Sequence, residues 1–328
     1  MTRPRVRDTG IIVGRMEPGP HNAITDVAGV RVGDATLISG DGPLRPGTGP
    51  VRTGVTVILP HGDSLFRHKV RAAVHTINGF GKVFGFEQVR ELGLIESPIA
   101  LTNTLNVGLV ADALISHAIR RDPDIGISTA GTVNVVVGET NDGYLNDIQG
   151  RHVRAEHVQD AIASASAGPV AEGAVGAGTG TICFGWKGGI GTASRVLPKV
   201  GGTYTLGALV QSNFGRAEDL LVSGLPVGSE LKPPPRRRVT PRDLPVPAQK
   251  EGSIMIVLAT DAPLDARQLG RLCVRVGAGL ARTGSYYGHG SGDFVIAFSS
   301  ARPVARGRSA PQVLQPVVAD EGQAMYWL

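Results

Sequence analysis

The sequence predicts a layered protein of mixed strands and helices, α/β or α+β, and three observations carry the prediction. β-Branched apolar runs such as Thr53–Pro60 and Ser253–Ala259 lack polar alternation, as strands covered on both faces do. Leu105–Arg121 and Asp265–Arg282 place apolar residues at helical spacing. Glycine makes up 46 of the 328 residues with no Gly-X-Y period, so the chain needs many tight turns and close backbone approaches. At 41% hydrophobic and 19% charged, the chain has ample apolar material for a sizeable core.

Along the chain, the first fifty residues are rich in Gly and Pro with short β-like pieces, among them Gly29-Val30-Arg31-Val32-Gly33. Thr53–Pro60 is a buried strand closed by a His61-Gly62-Asp63 turn. Phe84–Leu94 is a short helix. A longer helix runs from Leu105 with a stripe of Leu105, Leu109, Ala113 and Ile115, until Asp122-Pro123 stops it. Thr132–Val137 is a β-branched strand ending in the Asn141-Asp142-Gly143 turn. Residues 154–167 are helical, and 173–191 are thick with glycine around Cys183, Phe184 and Trp186. Thr205–Val210 is a strand. Residues 226–249 form an exposed connector whose Pro and Arg content leaves almost nothing to bury. Beyond it come the Ser253–Ala259 strand, the Asp265–Arg282 helix with Leu269, Leu272, Val276 and Leu280 on one side, and a last strand, Phe294–Phe298. No repeat of 20–50 residues emerges.

The net charge of +5 resides in two clusters, Arg3, Arg5 and Arg7 and then Arg236, Arg237 and Arg238; without these six the remainder is near neutral. Together with 5% aromatics, this argues against a nucleic-acid partner. No apolar run is long enough for a membrane helix, and no signal-peptide core follows the N-terminal arginines. Two distant cysteines, Cys183 and Cys273, fit reduced thiols in a cytoplasmic protein.

Most familiar motifs fail. Gly79-Phe80-Gly81-Lys82 lacks the upstream Gly and the following Ser/Thr of a phosphate loop, since Val83 follows. Gly176, Gly178 and Gly180 do not take the dinucleotide frame. His61, His68 and His75 recur at sevens, a spacing unsuited to a metal on a helix, and straddle segments that read as a strand, a turn and a helix. Gly288-His289-Gly290-Ser291-Gly292 precedes a strand where a nucleophile elbow precedes a helix.

One junction survives. Gly252-Ser253 stands between the connector and a double-sided apolar strand. In an arbitrary protein this is an ordinary strand start. Its chemical alternative is an N-terminal nucleophile made by self-cleavage. A serine hydroxyl attacks the preceding carbonyl, glycine permits the necessary backbone geometry, and hydrolysis of the ester frees the serine amine. That amine, with an ordinary pKa of ~7.7–8.0, is then a base for its own hydroxyl.

The segments KEGSIMIVLATDAPL, GHGSGDFVIAFS, ITDVAGVRVGDATL, LTNTLNVGLVADAL, GETNDGYLNDIQG and VQSNFG resemble, in order and over nearly the whole chain, the DmpA-type family. These are self-processing L-aminopeptidase/D-esterase and β-aminopeptidase enzymes. The resemblance implies an α+β fold, a four-layer αββα sandwich like that of N-terminal-nucleophile hydrolases but differently connected. It implies one domain, residues 1–328, cut at Gly252–Ser253 into 1–252 and 253–328, with the pieces remaining together and assembling into a homotetramer. It further implies Ser253 as nucleophile, Ser291 and Asp293 as its hydrogen-bonding proton relay, Asn213 as oxyanion donor and Tyr144 as phenolic support. Asp142 would receive the substrate's ammonium. Where the family carries Glu, Asp293 is one methylene shorter. No metal or organic cofactor is implied, and the substrates would be short peptides or aminoacyl amides and esters. Two other readings are an acyltransferase resembling ornithine acetyltransferases, which favour Thr where this chain has Ser253, and a catalytically silent scaffold.

Overall fold

The computed structural model describes residues 4–127, 131–197, 203–234 and 252–307. Twelve strands among these residues are β1 (Arg31–Ser39), β2 (Val51–Leu59), β3 (His68–Gly79), β4 (Leu94–Ile95), β5 (Ile99–Asn103), β6 (Val136–Thr140), β7 (Ile182–Cys183), β8 (Trp186–Lys187), β9 (Gly189–Val196), β10 (Thr205–Asn213), β11 (Ser253–Thr260) and β12 (Gly292–Ala305). Four α-helices accompany them: α1 (Phe86–Leu92), α2 (Val107–Arg121), α3 (Ala155–Ala163) and α4 (Ala266–Ala281).

The strands build a four-stranded sheet, ordered β1-β2-β5-β6, and a six-stranded sheet, ordered β4-β3-β12-β11-β10-β9. Alternation within single strands explains the layering. In β11, Met255, Val257 and Ala259 join a core with Ile58, Leu101 and Val136 of the other sheet, whereas Ile254, Ile256 and Leu258 pack with Leu269, Leu272 and Leu280 of α4. In β2, Val55 and Val57 face α2 and α3, and Ile58 faces the second sheet. The result is α2/α3, sheet, sheet, α4: the αββα sandwich expected. The sheets approach closely enough at Gly138 that a Cβ there would lie 2.2 Å from Met255 Cε. Two pairs are parallel, β5–β6 and β11–β12, and helices α2 and α4 make the crossovers.

Several sequence expectations need correction. The long helix begins at Val107, because the Asn103 side chain accepts from Leu105 and Asn106 N–H and holds Thr104–Asn106 in a 3-10 turn. Leu105 is consequently exposed, and the buried face is Val107, Val110, Ala111, Ala113, Leu114 and Ala118. The strand expected over Thr132–Val137 lies at Val136–Thr140, where β5 offers partners from Ile99 to Asn103. His68 and His75 both lie on β3, and no helix carries the latter. Of the connector, residues 226–234 include a 3-10 turn at Val227–Ser229 with Gly228 buried; 235–249 lie outside the described residues.

Candidate active site

Three strand ends meet at Ser253. The first residue of β11, it pairs with Asn213, the last of β10, on one side and with Gly292, the first of β12, on the other. Ser253 is 6% exposed. Its Oγ accepts hydrogen bonds from Asn213 Nδ2 and from the Asn141 N–H, both at 3.3 Å. Asn141 follows β6 of the opposite sheet, so the hydroxyl bridges the two sheets. The Asn213 amide is held in one orientation: Oδ1 accepts from Ile182 N–H at 3.0 Å, and Nδ2 also donates to the Asn141 carbonyl at 2.9 Å. Ile182 belongs to the glycine-rich segment, which Lys187 Nζ closes by donating to the carbonyls of Gly178 (2.8 Å) and Gly188 (3.0 Å). Burial lowers the pKa of that ammonium to about 8.

Gly252 is pinned as well. Its carbonyl oxygen accepts from Gly292 N–H at 3.2 Å. A Cβ at 252 would fall 2.3 Å from Phe214 Cα and 2.4 Å from the Asn213 carbonyl oxygen, so no side chain fits there.

Ser291 and Asp293 bracket Gly292. Ser291 Oγ donates to Asp293 Oδ1 at 2.7 Å, and both residues are buried. Burial raises the Asp293 pKa to about 6 against the opposing Ser291 hydrogen bond. Phe294 faces the inter-sheet core and Val295 faces α4, so alternation puts Asp293 on the α4 side and Gly292 on the side of Ser253. The pair therefore flanks the Gly252–Ser253 bond without sharing the face of the Ser253 hydroxyl.

The loop after β6 carries the remaining expected residues. Asp142 is 1% exposed; its Oδ1 accepts from Asn146 Nδ2 at 3.0 Å, and burial raises its pKa to about 7. Asn146 in turn accepts from Arg52 N–H at 3.0 Å, tying the loop to β2. Tyr144 is half-buried on this loop, close in sequence to Asn141.

Sequence reasoning missed Glu139, buried on β6. Its carboxylate accepts from Lys82 N–H at 2.9 Å and from the Thr104 hydroxyl, and burial raises its pKa despite both. A Cβ at Gly81 would lie 3.2 Å from Glu139 Oε1 and 3.1 Å from Gly292 Cα, which places this carboxyl beside the strand ends. An acidic residue directly after the apolar run Val135–Gly138, on the same strand, was the available signal. The backbone donors of Asn141, Ile182 and Gly292 leave none, since every non-proline residue has an N–H.

A serine nested in N–H donors at the start of a central strand, inside a four-layer α+β sandwich, defines a hydrolase of the N-terminal-nucleophile class. More narrowly, the chain belongs to peptidase family S58, whose profile matches residues 22–325. It is 48% identical over 304 residues to the β-peptidyl aminopeptidase BapA of Sphingosinicella microcystinivorans, covering 91% of this chain and 75% of that protein. Among solved structures, a Burkholderia sp. β-aminopeptidase superposes with a TM-score of 0.86 at 45% identity, covering 98% of this chain and 87% of the other. The L-aminopeptidase D-Ala-esterase/amidase of Ochrobactrum anthropi, described as a prototype of the serine aminopeptidases and a variant of the Ntn hydrolase fold, gives 0.87 at 39% identity, covering 99% and 87%. Among the described residues, no helix is long and apolar enough to cross a membrane.

Proposed function

We propose that the chain is a self-processing serine aminopeptidase that releases N-terminal residues from short peptides, amides and esters. One observation carries the reading: Ser253 opens a buried central strand with its hydroxyl between two N–H donors, while the preceding Gly252 carbonyl is held by a third, from Gly292. In the first reaction Ser253 Oγ adds to the Gly252 carbonyl carbon, the C–N bond breaks, and the acyl group moves to oxygen as the nitrogen takes up a proton. Water then hydrolyses the ester, leaving a Gly252 carboxylate and a free Ser253 amine. The Gly292 N–H suits the oxyanion of this step.

In turnover the Ser253 amine takes the hydroxyl proton as Oγ attacks the substrate carbonyl. The departing amine receives a proton, and water releases the acyl group from Ser253. Asn213 Nδ2 and the Asn141 N–H are proposed to stabilise the substrate oxyanion. Ser291 and Asp293 flank the new amine, where they would relay protons, and Tyr144 would support the intermediate from the loop it shares with Asn141. Asp142, with Glu139, would receive the substrate's ammonium, giving up a proton as the cation binds. The pieces 1–252 and 253–328 would remain one domain and assemble as a homotetramer. The free cysteines Cys183 and Cys273 support a cytoplasmic location.

The test is the denatured mass of fresh protein beside that of a Ser253→Ala variant. Two fragments divided at Gly252–Ser253 in the parent and one 34.1 kDa chain in the variant are expected. An uncut parent that hydrolyses no aminoacyl p-nitroanilide would sink the proposal.

A further inference from the structure

Asn78, near the end of β3, is the cross-strand partner of Asp293. Its Nδ2 donates to the carbonyls of Gly288 and His289, each at 3.1 Å, and to that of Ser291. One amide thus gathers three carbonyls of the turn that delivers Ser291. The same Ser291 carbonyl accepts from Phe80 N–H at 3.2 Å, and Ser291 N–H donates to Gly288 at 2.9 Å. In this turn Tyr287 takes φ +40°, a left-handed conformation costly for a side chain of its size, so the turn needs outside restraint.

The register of the two strands explains how the amide reaches the turn. Asn78 faces Asp293 and Thr76 faces Phe294, which leaves Ile77 as an extra residue on β3. Bulges of this kind re-aim the neighbouring side chain and occur next to active sites. The side chain required is narrowly defined. Aspartate cannot donate and would set a negative charge against three carbonyl oxygens; serine brings one donor on a shorter arm; glutamine overshoots by a methylene.

We propose that Asn78 is a positioning residue for the reaction: its amide clamps residues 288–291 and so fixes where the Ser291 hydroxyl and its Asp293 acceptor stand relative to the Ser253 amine. This rests on the aminopeptidase reading, because the clamp matters to catalysis only if the Ser291–Asp293 pair takes part. The role also accounts for a half-buried asparagine in a strand whose other function is to pair β12.

The experiment compares Asn78→Ala and Asn78→Asp with the parent by two independent readouts. Hydrogen–deuterium exchange should show faster exchange confined to residues 286–292, with β11 and the rest of β12 protected as in the parent. Hydrolysis of L-alanyl and β-alanyl p-nitroanilide, with kcat expressed per cleaved chain, should show kcat lowered about 100-fold by Asn78→Ala, with KM within about twofold. The aspartate variant should lose more. Unchanged exchange in both variants overturns the clamp, whatever the parent hydrolyses. Altered local exchange with unchanged kcat overturns the positioning role, as does exchange that rises throughout β3 and β12 while KM and kcat fall together. A parent inactive on both substrates, with the local exchange effect intact, fails the aminopeptidase reading and takes the positioning role with it, while the clamp stands.

Discussion

Asp142 carries a carboxyl group into the protein, where Asn146 donates to Oδ1, the Thr53 side chain also hydrogen-bonds the carboxyl, and Oδ2 has no hydrogen-bond partner among the described residues. Burial holds its pKa at about 7, against 3.8 for the ordinary group. The unfolded chain thus gives up this proton near pH 4 and the folded chain near pH 7. Between those values the folded state binds more protons, so stability falls as pH rises through the window, and the whole loss is present above it. Asp142→Asn keeps an oxygen to accept from Asn146 and removes the titration. Its unfolding free energy, followed through the melting temperature, should exceed the parent's at pH 8 by on the order of 1–4 kcal/mol, and the gap should shrink towards pH 4.5. A gap of equal size at both pH values would mean that the carboxyl does not titrate in this window. Asp293, whose pKa is raised in the same direction, is common to both proteins and drops out of the comparison. At this scale the sequence is unevenly legible. Ser253 stands out because a Gly-Ser pair separates a Pro- and Arg-rich stretch of sequence from a fully buried strand. Asn213, Tyr144, Ser291 and Asp293 become visible only through the family resemblance, since polar residues at strand ends otherwise read as turn punctuation. Asn78 is silent, because its role depends on a one-residue bulge that no periodicity announces.

Among the elements, α4 shows how local sequence signals survive folding. Asp265 accepts from Gln268 N–H at 2.7 Å and Gln268 Oε1 accepts from Asp265 N–H at 3.1 Å, a reciprocal cap at the helix start. As the crossover between β11 and β12, α4 returns the chain to the end of the sheet where both strands begin. Asp265→Ala should cost about 1 kcal/mol. Urea unfolding in a Ser253→Ala background measures this without separation of cleaved pieces; no shift of the midpoint would mean that the cap contributes nothing in this context. Long amphipathic helices and double-sided strands were readable for the same reason, as their burial imposes a period on the sequence. β3 was not. Its run His68-Lys69-Val70-Arg71 is polar as an edge strand's would be, yet it pairs on both sides, with β4 at Val70 and Arg71 and with β12 along most of its length. β6 was displaced because the length of its partner β5, and not its own β-branched run, decides where pairing starts.

The whole molecule sets what self-cleavage can do to the fold. A cut at Gly252–Ser253 assigns β11 and β12 to the C-terminal piece, but their neighbours on either side, β10 and β3, belong to the N-terminal piece. Release of the smaller piece would open both of those strand pairs at once. It would also expose β11, every residue of which is buried, along with the inward faces of Phe294, Ile296 and Phe298. Each large apolar side chain so exposed costs about 1.5–3 kcal/mol, and several must be exposed together. The cleaved protein should therefore migrate as a single species under native conditions and separate into two fragments only where its global unfolding occurs. Native mass measurement, followed by size exclusion across a urea series, checks this, and the native mass also tests the tetramer. Fragments that part well below the unfolding midpoint would show that the interlocked strand order is not what holds the pieces together. Fragments that part only at the midpoint would make the central position of β11 what holds the two pieces together after such a cut.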